Sequence, residues 1–483
     1  MNTFKLALVV PNYRWTQLDE NAFWHITPYN LCMLAATVRD LCDVQIIDAY
    51  APDMTESEFA GALRAAAPDL VGVTVMMDQC ASAGHTTARL AKSILPETPL
   101  IMGGVYPTVN PDQVMADANV DYAAVGEGED VLRELIGFLL DSGPMPARGI
   151  SYREGDRIVH TGRADFIQDL DRLPLPAYDL IDFDGYTGRA PRKSVDGPRA
   201  LPYARVITSR GCPVDCVFCQ VKLIMGRKFR PRSAERVLEE IAWLKNHYGV
   251  KSIIFDDDNL FTDRRRAKDI FQGMIDRGLA LPWVSTATAV FRLDEELLSL
   301  MRRSGCEYMC IAIESGTERV LKQVIGKPVD YEQAKRMVRC ARSLGIYVAA
   351  NFIVGFPTET WDEIRQTIRF AEELDADYVK LFHAIPLRHT RLWELCERHG
   401  AFKQGFRQEE IRWSTGQIES QDFTSEDLTI LRAYEWDRIN FTDPERRRRT
   451  AAMMNVNEAG LLEIRRKTLR DTQTRLAAVV AGS

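Results

Sequence analysis

Along the first 140 residues, short apolar runs alternate with segments whose apolar positions recur at helical spacing. KLALVV, DVQIIDA, LVGVTV, PLIMGGV and VDYAAVGEGE predict strands, while TESEFAGALRAAA and ASAGHTTARLAKSIL predict amphipathic helices. Strands alternating with helices require a parallel sheet covered on both faces. Residues 1–140 are therefore expected to form a doubly wound, Rossmann- or flavodoxin-like α/β domain. Ligands of such sheets lie beyond the carboxyl ends of the strands. There the sequence places Thr74, Gly103, Gly104, Thr108, Gly126, Glu127 and Gly128. The rhythm breaks over 141–200, where GPMPARG and LPLPAYDLIDF forbid helix and REGDR reads as a hairpin tip, so a connector is expected. A second series begins at ARVITSRGC and continues through SIIFDDD, WVSTATA, MCIAIESG, YVAANFIVGF and YVKLFHAIPL. Its helices, SAERVLEEIAWLKNHYG and DEELLSLMRRSG, end on glycine as C-caps do. Six βα units over 201–395 predict a partial (β/α)6 TIM-type barrel with functional residues at the carboxyl ends of its strands. Residues 396–483 read as a polar helical extension, with the run Arg446 to Arg449 on a solvated face.

Composition narrows the picture. A chain of 483 residues is too long for one ordinary domain. Its net charge of −7 supplies no positive field for a phosphate backbone, which argues against nucleic acid as substrate. No apolar run reaches the roughly 18 residues that a membrane span requires. The start, MNTFKLALVVPNYRW, is apolar only from Leu6 to Val10 before Pro11 interrupts it, which suits a buried strand better than a signal peptide. A cytoplasmic, reducing compartment is therefore expected, and the 10 cysteines should be thiols or metal ligands.

Three of those cysteines are clustered. TSRGCPVDCVFCQ carries Cys212, Cys216 and Cys219 in C-x3-C-x2-C spacing. Thiolates bind soft metals, and a closed tetrahedral zinc site would need a fourth ligand, but neither His nor Cys stands nearby. Three ligands leave a metal position open; on a [4Fe–4S] cluster, one iron would be free for a small molecule. A buried structural trio is the other reading.

The spacing, with Phe218 before the last cysteine, resembles the signature of the radical S-adenosylmethionine (SAM) enzymes. That resemblance implies a [4Fe–4S] cluster whose unique iron is chelated by SAM, and cleavage of SAM to a 5′-deoxyadenosyl radical. It extends along the barrel. FDDDNLF resembles the segment whose acidic residue meets the SAM amino group, here Asp257 or Asp258. IAIESGTERVL matches the fourth-strand segment, with Glu314 and Ser315, and NFIVGFPTET the fifth, with Asn351, Gly355 and Pro357. After the sixth strand the chain departs from the family's Pro-Gly-Thr step with PLRHTRLW. Arg388, His389 and Arg391 become candidate substrate contacts, as does Trp436 in the helical extension.

The front domain resembles the cobalamin-binding domain that precedes many such barrels, through PDLVGVTV, GGVYPT, VDYAAVGEGE and the LPLPAYDL connector. None of the 7 histidines lies in a D-x-H-x-x-G motif, an absence usual in this branch. His85 is expected on a helix surface, and the aromatics of FWHITPYN near the corrin or packed in the domain. Cys306, Cys310, Cys340 and Cys396 read as single thiols. Cys32, Cys42 and Cys80 raise the methylthiotransferase pattern, which the helical setting of Cys32 and Cys42 and the acidic balance oppose. The resemblance as a whole implies a cobalamin-dependent methyltransferase acting on an unactivated carbon or phosphorus of a small metabolite or natural-product intermediate. It also implies an electron donor such as flavodoxin or ferredoxin. The alternative is a dehydratase, cyclase or rearrangement enzyme whose front domain is structural. No catalytic side chain is singled out.

Overall fold

The computed structural model describes residues 3–16, 27–188 and 197–466. The FWH aromatics, Phe23 to His25, lie outside them. The chain divides into two compact units. The first comprises Met1–Tyr186 with Val221–Gly226 and Arg407–Ile411; the second comprises Thr187–Gln220, Arg227–Phe406 and Arg412–Ser483.

In the first unit the apolar runs form β1 (Lys5–Val10), β2 (Asp43–Asp48), β3 (Leu70–Thr74), β4 (Leu100–Gly103) and β5 (Tyr122–Ala124). These are parallel in the order β2-β1-β3-β4-β5, as βα crossovers demand. Every residue of β3 is buried, because helices cover both sheet faces. The sheet does not stop where the connector was expected to begin. β6 (Ile150–Glu154) and β7 (Arg157–His160), turning at Gly155, extend it as an antiparallel hairpin at its open edge. The prolines flank that hairpin, Pro144 and Pro146 before it and Pro174 and Pro176 after it, so the backbone rungs at 150–160 stay available for pairing.

The second unit is built on six parallel strands: β8 (Tyr203–Val206), β11 (Ser252–Phe255), β12 (Trp283–Thr288), β13 (Cys306–Glu314), β14 (Tyr347–Val354) and β15 (Tyr378–His383). Between the first two, β9 (Ser209–Arg210) and β10 (Arg230–Pro231) form a short antiparallel ribbon. The order β15-β14-β13-β12-β11-β8 leaves the barrel open, with β15 an edge. An edge strand presents unpaired N–H and C=O groups. The helix Ser425–Phe441 covers this one with residues four apart. Asn440 accepts from Val379 N at 2.8 Å and donates to Val379 O at 2.9 Å. Arg432 donates to Leu381 O at 2.9 Å, and His383 Nε2 to Leu428 O at 3.2 Å. The match is metric: four helical residues rise about 6 Å and two strand residues about 6.6 Å. Arg432 and Asn440, polar residues on this helix, thus face protein.

At the amino ends of the strands, Tyr203, Ile254, Val284, Tyr308, Cys310, Ala349 and Tyr378 pack with Trp436, Phe441, Met453 and Leu461. Described residues after 396, Trp436, Phe441, Met453 and Leu461 among them, therefore plug the barrel and cover its edge, while the short Arg407–Ile411 stretch belongs to the first unit. Trp436 belongs to this packing: it is buried, donates to Tyr378 Oη at 2.8 Å, and stacks edge-on with Phe441.

Candidate functional site

The cysteines sit on a loop tied shut at its neck. β9 and β10 pair Arg210 with Arg230 and Ser209 with Pro231, so residues 211–229 form a closed excursion at the carboxyl end of β8. Three buried groups fasten that neck. Asp257 Oδ1 accepts from Thr208 N (3.0 Å), Thr208 Oγ1 (2.8 Å) and Ser209 Oγ (2.5 Å). Arg266 donates to Thr208 O at 2.7 Å and Arg232 O at 2.5 Å, while Arg232 donates to Ile207 O at 3.1 Å and pairs with Glu240. Inside the loop, buried Val217 is held on both sides. Its N–H donates to Ile325 O at 2.9 Å, and its carbonyl accepts from Leu392 N at 2.9 Å.

Cys212, Cys216 and Cys219 are half-buried on this framework. Burial pushes the Cys216 thiol up to about 12 against the pull of the Lys327 cation, with Glu314 and the other two cysteines adding to the rise. The remaining cysteines are different. Burial raises Cys32 and Cys80 to about 12 and Cys42 to about 11, and Cys310 donates to Asn351 Oδ1 at 3.1 Å. These are protonated packing thiols. Among the described residues no three His, Cys, Asp or Glu side chains converge closely enough to hold a single metal ion. A multi-iron cluster asks for something else, one thiolate per iron from separate corners, and three thiols on a braced loop fit that demand.

Two buried acceptor oxygens beside the trio have no partner: Asp257 Oδ2 and Asn259 Oδ1. Asn259 Nδ2 approaches Cys212 Sγ at 4.0 Å. Orphaned acceptors next to an open metal position suit an ammonium donor, as in the amino group of SAM. Asp258 has an exposed side chain, yet its carboxyl is hemmed in by protein and by Asp257, and is pushed up to about 6. Phe218 faces Phe356 with ring centroids 6.4 Å apart. Glu314 closes β13 with φ +76 and is paired with Lys327 at 2.8 Å. Asn351 is half-buried on β14. Gly355 needs its freedom twice over, with φ +89 and a Cβ position only 2.5 Å from Leu428. Its N–H, with that of Phe356, donates to Glu359, whose burial pushes its carboxyl up to about 8.

Several expectations shift at this resolution of detail. Ser315 is fully buried and bonded to Thr367 Oγ1 and Thr317 N, both at 3.2 Å, so it organises the turn after β13. Arg391 donates to Asp215 O and lies 3.6 Å from the Asp215 carboxylate, which also pairs with Arg227. The Arg388 carbonyl accepts from Gln220 at 3.0 Å, and His389 is exposed at φ +60. PLRHTRLW thus braces the cysteine loop, with Arg391 engaged by Asp215. Asn259, Lys327 and Glu359 were missed. Asn259 and Glu359 stand inside the quoted motifs, but nothing in a linear reading marks Lys327 as buried.

In the first unit, Thr74, Gly103 and Gly126 fall at or just past the ends of β3, β4 and β5. Most of the selected residues there support one another. Asn30 donates to Thr74 Oγ1 at 2.9 Å; Thr108 Oγ1 donates to Gly104 O at 2.7 Å and accepts from Gly126 N at 3.0 Å; Glu127 accepts from Ile167 N at 2.7 Å. Gly104 is required by the fold itself, with φ +109 and a Cβ position 2.6 Å from Val75 O. Gly128 would press a Cβ to 3.2 Å from Leu34. Gly103 alone has ordinary room, its nearest neighbour Ala124 at 3.7 Å, and Met76 just past β3 is 46% exposed. A glycine at a strand end beside an exposed thioether is compatible with a large, flat, partly apolar ligand such as a corrin. His85 is half-buried, its Nδ1 2.7 Å from Asp117 and its Nε2 3.4 Å from Tyr106 Oη, so its ring is engaged within the fold.

Comparison with known proteins agrees with this division. Residues 206–371 match the radical SAM superfamily and residues 22–136 the B12 binding domain. An uncharacterized methyltransferase of Pyrococcus horikoshii is 35% identical over 401 residues, 82% of this chain and 83% of the relative. The cytidylyl-2-hydroxyethylphosphonate methyltransferase of Streptomyces wedmorensis is 30% identical over 381 residues, 72% of this chain and 70% of the relative. The solved structure of the radical SAM methyltransferase TsrM of Kitasatospora setae, with cobalamin and a [4Fe–4S] cluster bound, superposes with a TM-score of 0.71 at 16% identity, covering 98% of this chain and all of that one.

Proposed function

The chain belongs to the radical SAM superfamily and carries a B12 binding domain, and from that premise we propose a cobalamin-dependent methyltransferase that acts on an unactivated carbon, or a phosphorus, of a small metabolite or natural-product intermediate. The observation that carries the reading is the braced loop with three half-buried thiols beside two orphaned buried acceptors. When bound, the cluster with SAM supplies a 5′-deoxyadenosyl radical, and cobalamin supplies the methyl group.

The chain's own part is holding and excluding. Cys212, Cys216 and Cys219 would ligate three irons. Asp257 Oδ2 and Asn259 Oδ1 would accept from the SAM ammonium, with Asp258 at the same turn. Phe218 on the loop, Asn351 on β14 and Gly355 just past it would line the approach, and Glu314 stands at the end of β13. Leu428 packs over Gly355, and Glu359, whose burial pushes its carboxyl up to about 8, accepts the N–H groups of that turn; this apolar cover would help to exclude water from a radical. In the first unit, Gly103 and Met76 would meet the corrin, with Thr74, Gly104, Thr108, Gly126, Glu127 and Gly128 shaping the loops that present them. Among the described residues no helix is long and apolar enough to cross a membrane. We place the enzyme in the cytoplasm, reduced by a donor such as flavodoxin or ferredoxin.

The test is anaerobic reconstitution with iron, sulfide and hydroxocobalamin, followed by gel filtration. Near-stoichiometric corrinoid retention, and a substrate that gains the mass of one methylene, is the expected result. A cluster-bearing protein that keeps no corrinoid would refute the methyl-transfer reading.

A further inference from the structure

Lys327 is an unusual residue to find inside a protein. Its side chain and that of Glu314 are each 8% exposed, with Nζ to Oε1 at 2.8 Å. Burying such a pair usually returns less than desolvation costs, so the pair needs a reason beyond stability. The backbone at both of its ends is also irregular. Glu314 has φ +76, and the β13–β14 register shifts between Ala312 and Glu314. Val320–Ile325 is a π-helix, ended by Gly326 at φ +83, with the N–H groups of Gly326 and Lys327 both donating to Leu321 O at 3.0 Å. Departures of this kind persist where the surroundings impose them, and they concentrate at functional sites.

This irregular segment is packed against the cysteine loop. Ile325 O takes the Val217 N–H at 2.9 Å, and a Cβ on Gly326 would stand 3.2 Å from Asp215 O. Lys327 follows Gly326 directly, so the buried pair is anchored in the segment that contacts Val217 and Asp215. Of the other cations near the loop, Arg227 and Arg391 are substantially exposed and share the Asp215 carboxylate. Arg230, Arg232 and Arg266 are buried at the neck of the loop, whereas Lys327 is buried in the segment that packs against Val217.

We infer that Lys327 is a positioning residue that lends the cysteine-bound cluster a fixed positive charge and raises its reduction potential, with Glu314 setting how much of that charge the cluster feels. The inference rests on the cluster proposed at Cys212, Cys216 and Cys219. Reduction adds one electron and no proton, so a buried cation stabilises the reduced form more than the oxidised one. A lysine that served only to neutralise Glu314 would leave the potential where it is.

The experiment uses the full chain, reconstituted anaerobically without SAM and titrated against dithionite, with iron content, visible absorption and electron paramagnetic resonance read together. Lys327→Met is expected to keep its iron and lower the midpoint so that the reduced fraction at fixed potential falls at least tenfold, about 59 mV for one electron. Lys327→Arg restores the wild-type midpoint, and Glu314→Gln moves it upward. An iron-replete Lys327→Met with a wild-type midpoint overturns the inference while leaving the cluster assignment standing. Should Lys327→Met fail to hold iron, Glu314→Gln decides, and no upward shift there overturns it. Wild-type protein without an iron–sulfur signature refutes the cluster and this role together.

Discussion

Each loop thiol has its own post on a braced loop, and the neighbours that matter most come from distant sequence. Replacing Cys216 with Ala is expected to abolish the brown chromophore and all 5′-deoxyadenosine formation while the far-ultraviolet spectrum stays native, since the neck of the loop is fastened by Asp257, Arg266 and Arg232. Retained chromophore would contradict the ligand assignment. Glu359 gives a pH signature. Its folded carboxyl lies at about 8, above its ordinary 4.5, so the stability it contributes is complete below about 4.5 and is lost as pH rises through about 8. Glu359→Gln should flatten that decline and gain on wild type by a few kcal/mol above pH 8, read by urea denaturation across pH. His383 works in the opposite sense. Burial holds it at about 4, below its ordinary 6.5, so its contribution is present above 6.5 and fades as pH falls through about 4. At this scale the cysteine trio was legible because all its ligands lie in one short stretch. Asp257 was legible as a carboxylate at a strand end but not as a strut, because its partners Thr208 and Ser209 lie nearly 50 residues upstream.

The element that most resisted reading is the helix Ser425–Phe441. Its polar positions look like a solvated face, yet Arg432 and Asn440 complete the hydrogen bonding of β15. Asn440→Ala would leave the Val379 N–H and C=O buried without partners, at about 1–3 kcal/mol each. A loss of about 2–4 kcal/mol in denaturant stability is expected, and a loss near zero would show that water replaces the amide. Trp436 belongs to the same element. Trp436→Ala should cost about 3–5 kcal/mol, while Trp436→Phe, which removes mainly the bond to Tyr378 Oη, should lower stability by about 1 kcal/mol with the substrate KM unchanged. A raised KM in the stable Phe variant would support a substrate role.

At the scale of the whole molecule, Gly104 tests whether the two units hold their cofactors separately. Its φ of +109 and a Cβ position 2.6 Å from Val75 O make Gly104→Ala strained wherever the side chain turns. The variant is expected to lose corrinoid and first-unit stability while its iron content, set by the second unit, stays at the wild-type level. Parallel loss of both would show that the units do not hold their cofactors independently. The sequence by itself determined the two βα series, the strand identities and the thiol trio, because apolar periodicity and ligand spacing are local properties of the chain. Only the tertiary structure decided that the 150–160 hairpin extends the first sheet, that PLRHTRLW braces the cysteine loop, and that Lys327 is buried beside it. Each of these depends on residues far apart in the chain meeting where a sheet edge, a buried charge or an unpaired backbone group has to be satisfied, and no periodicity records such a meeting.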